Sequence, residues 1–336
     1  MRIAYIAHPT SSNAWYRAIG PLEALAARGH HVTQLPTEDP RPAAAAVAGH
    51  DVLLLHRFAE RRAQQLAEAA HAHGIAVVWD NDDDMGAVSK EMVAYRITGG
   101  MRWEQRLAGM RRIFRVASRV TAPSHALAAR LREQGASETR VIENCIPDVS
   151  LHPRRPAHAG VVIGWIVGPE HQLDVDRIPI RAALQRLLDE RPDVHVESIG
   201  LRLGLSSPHY RNDKFVPLLE LSGRAAAWDV GIAPLADLDF NRARSNIKLK
   251  EYAAAGTPWL ASPVGPYAEL GEKQGGRLVA DERWHEQLVR LIDKPRERGK
   301  LGKRAAKWAA GETVSKNAHR WEACFAEAVA RAGAAA

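Results

Sequence analysis

Arg242, Arg244, Ser245, Lys248 and Glu251 crowd the middle of Asp229–Pro258, where a short apolar run ending near Pro234 gives way to a polar loop and then a helical run. Ser245 is a good N-cap for that helix, which directs the free N–H groups of Asn246, Ile247 and Lys248 and the positive end of the helix dipole into the loop. Arg242, Arg244 and Lys248 add positive charge at the same end. Exposed cations there cost up to about 1 kcal/mol each unless an anion sits among them. The chemistry expected is therefore the binding of a phosphate or diphosphate. Glu251 lies three residues past Lys248, about one turn further on the same face, where a carboxylate can accept hydrogen bonds from ribose hydroxyls. The alternative is a solvated basic helix start.

The elements around this segment are written as alternating short β-rich runs and longer helical runs, the pattern of parallel sheets with crossover helices. Strands are expected at Arg2–Ala7, His31–Leu35, Asp51–His56, Ile75–Asp80, Arg119–Pro123 and Arg140–Asn144. Helices are expected at Ala14–Arg28, Glu60–His73, Met101–Ser118 and His125–Gln134, three of them followed by a glycine suited to a C-cap. After a proline-rich polar linker a second unit follows, with strands Val161–Val167, Asp193–Ile199, Val230–Pro234 and Pro258–Ser262. Its helices are Asp176–Glu190, Leu218–Trp228, Ser245–Ala255, Trp284–Ile292 and a terminal stretch from about Ala305 to Ala330. Ala43–Ala46 and Ala334–Ala336 read as filler and a frayed end. The fold class expected is α/β, two consecutive doubly wound units.

Beyond the phosphate-like helix start, Glu251-Tyr-Ala-Ala-Ala-Gly256-Thr-Pro258-Trp-Leu-Ala-Ser262, Val264-Gly265-Pro266-Tyr267, Gly276–Val279 and Trp284 follow in order. Upstream stand Val141-Ile-Glu-Asn144-Cys-Ile-Pro147-Asp148, Tyr16-Arg17 with Pro21 and Leu25, and Gly29-His-His-Val32. Together these resemble the group 1, or family 4, retaining glycosyltransferases of the GT-B fold, over nearly the whole chain. The resemblance implies an N-terminal Rossmann-like acceptor domain (1–152), a linker (153–158), a C-terminal domain holding a nucleotide-diphosphate sugar (159–312) and a last helix (313–336) returning to the first domain. It implies that the N–H groups of Ser245, Asn246 and Ile247 hold the diphosphate, that Arg244 and Lys248 neutralise it, and that Glu251 binds the ribose. It implies no metal and no cofactor beyond the co-substrate, a UDP- or GDP-linked sugar.

Two positions depart from the family pattern. Ala243 stands where a glutamate touches the transferred sugar, so Asp237 or Asp239 is the candidate carboxylate from the same loop. Gly168-Pro169-Glu170-His171 replaces an Arg and a Lys after the first strand of the second domain, leaving Gly168 and His171 as candidates for the diphosphate. In the first domain His8, Arg17, Arg57 and Asp83, beside the acid cluster Asp80–Asp84, are candidates for an acceptor hydroxyl of a saccharide, lipid-linked glycan or natural product. Trp103, Leu107, Met110, Phe114 and Ala117 form an apolar stripe flanked by Arg102, Arg106, Arg111, Arg112 and Arg115. It reads as core, or, if exposed, as a membrane-docking face.

Composition bounds the rest. The chain has 336 residues, is 46% apolar and carries a formal charge of +7, which excludes disorder as the main state and suits acidic ligands. Two distant cysteines, Cys145 and Cys324, argue against a disulfide framework or a zinc site. No signal h-region or spanning segment is apparent, which suits a cytoplasmic protein, with peripheral contact at the inner membrane face if the acceptor is a lipid. A nucleotide-sugar epimerase and a catalytically silent nucleotide-sugar binder remain as alternatives, while a nucleic-acid partner finds no motif.

Overall fold

The computed structural model describes residues 1–93, 95 and 101–335. Six strands, β1 (Arg2–Ile6), β2 (His31–Gln34), β3 (Val52–His56), β4 (Ala76–Asp80), β5 (Arg119–Ala122) and β6 (Thr139–Val141), form one parallel sheet in the order β2-β1-β3-β4-β5-β6. Six more, β7 (Val161–Val167), β8 (Val194–Gly200), β9 (Tyr210–Asp213), β10 (Val230–Ala233), β11 (Trp259–Ala261) and β12 (Gly276–Leu278), form a second in the order β12-β11-β10-β7-β8-β9. Two Rossmann-like α/β units result.

Both faces of each sheet are covered, so the central strands are continuous apolar runs. In β3, Leu53 and Leu55 pack with Leu66, Met110, Phe114 and Leu127, whereas Val52 and Leu54 point the other way toward Leu22, Leu25, Trp321 and Phe325. That second layer includes the last helix, Val314–Ala335, which closes the first domain's core after the chain has built the second. The stripe Trp103, Met110 and Phe114 is buried, with Leu107 and Ala117 packed against the same core. The membrane-docking reading of this helix is therefore overturned, since its apolar face is spent on packing. The side chain of Arg102 lies outside the described residues. Among the described residues no helix is long and apolar enough to cross a membrane.

Several expectations need correction. β9 and β12 were not foreseen; they are short edge strands with polar or glycine-containing sequences, YRND and GRL, which carry little alternation. Ala43–Val47 is a short helix whose Ala46 and Val47 are buried, not filler. The terminal stretch is two helices, Pro295–Ala309 and Val314–Ala335, broken at Gly311–Thr313. The helix expected from Ser245 starts at Ile247 with Asn246 as cap residue, and Ser245 makes no capping bond; its hydroxyl instead accepts from Asn144 Nδ2 at 3.2 Å.

Candidate active site

The C-terminal ends of both sheets face one cleft, and the loop between β10 and the Ile247–Ala254 helix lies in it. The orientation of that helix is set from behind. Tyr252 packs where Gly231 leaves room on β10, a Cβ there lying 2.6 Å from its ring. Its hydroxyl donates to the Ile232 carbonyl at 2.9 Å and accepts from the Ile166 N–H at 3.0 Å. With Tyr252 pinned to the sheet, Glu251 turns toward the first domain and Lys248 toward His171 of the second.

Among the described residues the backbone N–H groups of Ser245, Asn246, Ile247 and Lys248 make no hydrogen bond. Arg244 approaches the same point: its Nη2 bonds Glu170 at 3.2 Å while its Nη1 is buried without a partner. Lys248 is only 9% exposed. Burial first, and the Arg244 charge second, push its ammonium down to about 8. Arg244 and Lys248 hold the half-buried Glu170 carboxyl below the usual carboxylate range, against the opposing effect of its partial burial. The arrangement concentrates positive charge and unpaired donors at a partly buried helix start, the electrostatics of an anion site.

Glu251 is buried, and burial raises its carboxyl to about 7, against the opposing pull of Tyr16 and Lys248. The Tyr16 hydroxyl, from a π-helical turn Trp15–Ile19 in the first domain, donates to Glu251 Oε1 across the cleft. Such turns recur at functional sites. Opposite Arg244, at the ends of β3 and β4, Arg57 pairs with Asp82 at 3.4 Å and Asp83 at 3.0 Å. Arg57 holds a left-handed φ of 63°, a strained conformation for a residue with a side chain. Burial and Asp82 raise the Asp83 carboxyl, while Arg57 and Arg244 pull it back.

The structure thus brings Arg244, Ser245, Asn246, Ile247, Lys248 and Glu251 together, with Arg57 and Asp83 across the cleft. Other candidates fall elsewhere. Arg17 is fully buried: its guanidinium bonds Asp80 at 2.6 Å, Asn144 Oδ1 at 2.9 Å and the Ile142 carbonyl, and lies over the Trp321 ring. It is therefore an internal tie between strand ends, not an acceptor contact. Asp237 and Asp239 are 64% and 59% exposed and already paired with Arg242, and Asp239 also with Arg130 of the first domain. Arg242 is thereby diverted from the helix N-terminus. His171 does not open onto the space before the helix N-terminus; it is buried behind Lys248, which it meets at 2.7 Å. Gly168 starts the 3₁₀ turn Pro169–His171 and is covered by the Glu170 carboxylate. His8 is exposed, bonded to Thr10 at 3.3 Å. Ala243 packs into the first domain's core, and its carbonyl accepts from the Ser124 hydroxyl at 2.9 Å, so this position has no room for a glutamate.

The sequence marks Tyr16 only among the residues that carry the family resemblance, and points to no role for Glu170, Asp174 or Lys250. Asp174 was within reach of sequence reasoning, since it follows His171 at i,i+3 and bonds its Nδ1 at 2.6 Å. Lys250 was not, because its partners, Glu143, the Asn144 carbonyl and Glu312, come from elsewhere in the chain.

No protein-family model matches the chain, and no curated protein matches its sequence. Solved structures do. HepE from Anabaena, in complex with UDP, superposes with a TM-score of 0.70 at 15% identity, covering 97% of this chain and 100% of that one. A sucrose-phosphate synthase from Thermosynechococcus elongatus gives 0.68 at 16%, covering 98% and 99%. A putative UDP-N-acetylglucosamine 2-epimerase from Listeria monocytogenes gives 0.59 at 11%, covering 96% and 95%. At these identities the likeness is one of fold: two Rossmann-like domains in the GT-B arrangement.

Proposed function

We propose that the chain is a glycosyltransferase that moves a sugar from a nucleotide-diphosphate sugar, UDP- or GDP-linked, to an acceptor hydroxyl. The observation that carries this reading is the convergence of Arg244, Lys248 and the unpaired N–H groups of 245–248 beside Glu251. HepE, which shares the fold, is seen with UDP and with UDP-glucose, a ligand of this chemistry.

In the proposed reaction the bond from the anomeric carbon to the diphosphate breaks as the acceptor oxygen bonds the same carbon. The negative charge that develops on the leaving diphosphate is met by Arg244, Lys248 and the helix N–H groups, a kind of preorganised stabilisation worth roughly 3–4 kcal/mol per well-placed donor in other enzymes. The proposed reaction is retaining and metal-independent: the cations supply the charge that a divalent ion would, and the departing diphosphate helps to take the acceptor proton. Arg57 and Asp83 are the proposed acceptor-side groups, in a cytoplasmic enzyme.

A second reading, a nucleotide-sugar binder without transferase activity, is favoured by Ala243, whose burial leaves the sugar without the expected carboxylate. An epimerase reading draws on the Listeria neighbour's fold. Calorimetric titration with UDP, GDP, ADP and dTDP tests the donor site. One of them should bind selectively, with binding lost in Lys248→Ala and Glu251→Ala. A folded protein that binds none of them refutes the proposal. Product analysis of the matching nucleotide sugar with and without acceptors then separates transfer, epimerisation and silent binding.

A further inference from the structure

Behind Lys248 a chain of buried polar groups runs into the second domain. The ammonium meets Nε2 of His171 at 2.7 Å, and His171 Nδ1 meets Asp174 Oδ2 at 2.6 Å. The other Asp174 oxygen accepts from the Ala236 N–H at 2.9 Å and from Asn241 Nδ2 at 2.7 Å, and Asn241 also donates to the Ala236 carbonyl at 2.9 Å. His171, Asp174 and Asn241 are all buried.

The chemistry of this chain has one consistent direction. A carboxylate only accepts, so Asp174 fixes the histidine proton on Nδ1 and leaves the Nε2 lone pair facing the ammonium, which only donates. Burial, Lys248 and Arg244 all keep the ring neutral, well below the usual histidine range. The loop after β10 supplies both the Ala236 N–H and Asn241, so the chain ties the lysine to the loop that carries Arg244 and Ser245.

We propose that Asp174 and Asn241, acting through His171, are positioning residues that hold the Lys248 ammonium where a nucleoside diphosphate binds. The inference rests on the donor-site reading above. It separates recognition of the second phosphate, which depends on the relay, from recognition of the nucleoside, which does not.

The groups facing Lys248 are His171, Arg244, Glu170, Asp174 and Glu251 from its own domain, with Tyr267 beside Arg244. From the first domain Tyr16 touches Glu251, and Asp83, paired with Arg57, faces Arg244. Of these, Glu251, at about 7, and Lys248, at about 8, titrate near neutrality. The Asp174 charge favours the ammonium, so its loss makes Lys248 give up its proton at lower pH.

The test is calorimetric titration of wild type and Asp174→Asn with whichever of UDP, GDP, ADP and dTDP binds most tightly, and with its monophosphate, across neutral and mildly alkaline pH. The preference for diphosphate over monophosphate should fall about tenfold in the variant, and the pH at which diphosphate binding weakens should move down. If Asp174→Asn does not fold, His171→Gln and His171→Leu carry the test: the Gln amide oxygen can still accept from Lys248 and should keep the preference, while Leu should lose it. An unchanged preference and pH midpoint in Asp174→Asn, or equal preferences in the two His171 variants, overturns the relay and leaves the donor site standing. Equal losses for diphosphate and monophosphate assign Asp174 a merely structural role and likewise overturn it. A wild-type protein that binds no nucleoside diphosphate overturns the donor-site reading and the relay with it.

Discussion

Glu251 is the residue whose chemistry and stability pull in opposite directions. Its carboxyl is raised from 4.5 to about 7, chiefly by burial, so the folded protein takes up a proton that the unfolded chain has already lost. A group whose folded value is raised favours folding at low pH, and that contribution is lost as pH rises through the folded value. Above pH ~7 the ionised Glu251 therefore costs about 3 kcal/mol relative to its unfolded state. Glu251→Gln keeps an acceptor for Tyr16 and removes that cost. Urea denaturation should show the variant more stable by about 2–3 kcal/mol near pH ~8 and by little near pH ~5, while calorimetry should show nucleotide binding weakened. A stability difference that is the same at both pH values would mean that Glu251 does not titrate in this range. Lys248 works in the other sense: lowered from 10.5 to about 8, it costs stability at lower pH, and the cost is relieved as pH rises between those values. Arg244, Lys248 and Glu251 could be singled out from sequence because their spacing is local to one helix start. The contact of Tyr16 with Glu251, 235 residues away in the chain, could not.

At the scale of elements, the site depends on the rotation of one eight-residue helix, Ile247–Ala254, and that rotation is set by Tyr252 seated against Gly231. A methyl group at Gly231 would stand 2.6 Å from the Tyr252 ring, closer than packed carbons allow, so helix or sheet must shift. Gly231→Ala should lower stability by about 1–3 kcal/mol through overpacking. It should also weaken nucleoside diphosphate binding, by turning Lys248 and Glu251 out of register, although it touches neither. Thermal melting and titration of the same preparation check the pair of effects; a destabilised variant with wild-type affinity would show that the helix holds its orientation without Tyr252. The central strands and most crossover helices were legible because burial on both faces writes them as unbroken apolar runs. The edge strands β9 and β12 were not, since an edge strand can be short and polar. The Ser245 cap misled because Ser, Asn and a loop Arg all precede the helix, and cross-domain contacts, Asn144 to Ser245 and Glu143 to Asn246, decide where it begins.

For the molecule as a whole, the chain crosses between domains twice, and the two crossings are tied together. Ile146 and Thr313 form a parallel bridge, with the Ile146 N–H donating to the Glu312 carbonyl at 3.0 Å and the Val314 N–H to the Ile146 carbonyl at 3.0 Å. Lys250, fully buried on the far side of the Ile247–Ala254 helix, bonds Glu143 at 2.8 Å, Glu312 at 2.7 Å and the Asn144 carbonyl at 2.9 Å. One ammonium thus joins the end of the first domain, the break before the returning helix and the helix that bears Lys248 and Glu251. The returning helix completes the first domain's core, so loosening this joint transmits to both domains. The side chains of Glu143 and Glu312 are 44% and 21% exposed, so water partly compensates them and removing the ammonium costs less than the ~3–5 kcal/mol of a fully buried pair. Lys250→Ala should therefore lower the melting temperature and split a single calorimetric transition into two, one for each domain. Because the joint also orients the domains across the cleft, solution scattering should show a larger radius of gyration for the variant, as the Tyr16–Glu251 contact no longer holds the cleft shut against the loosened hinge. A variant with one transition at the wild-type temperature and wild-type scattering would show that the remaining interdomain contacts, among them Ser124–Ala243 and Arg130–Asp239, couple the two domains without Lys250.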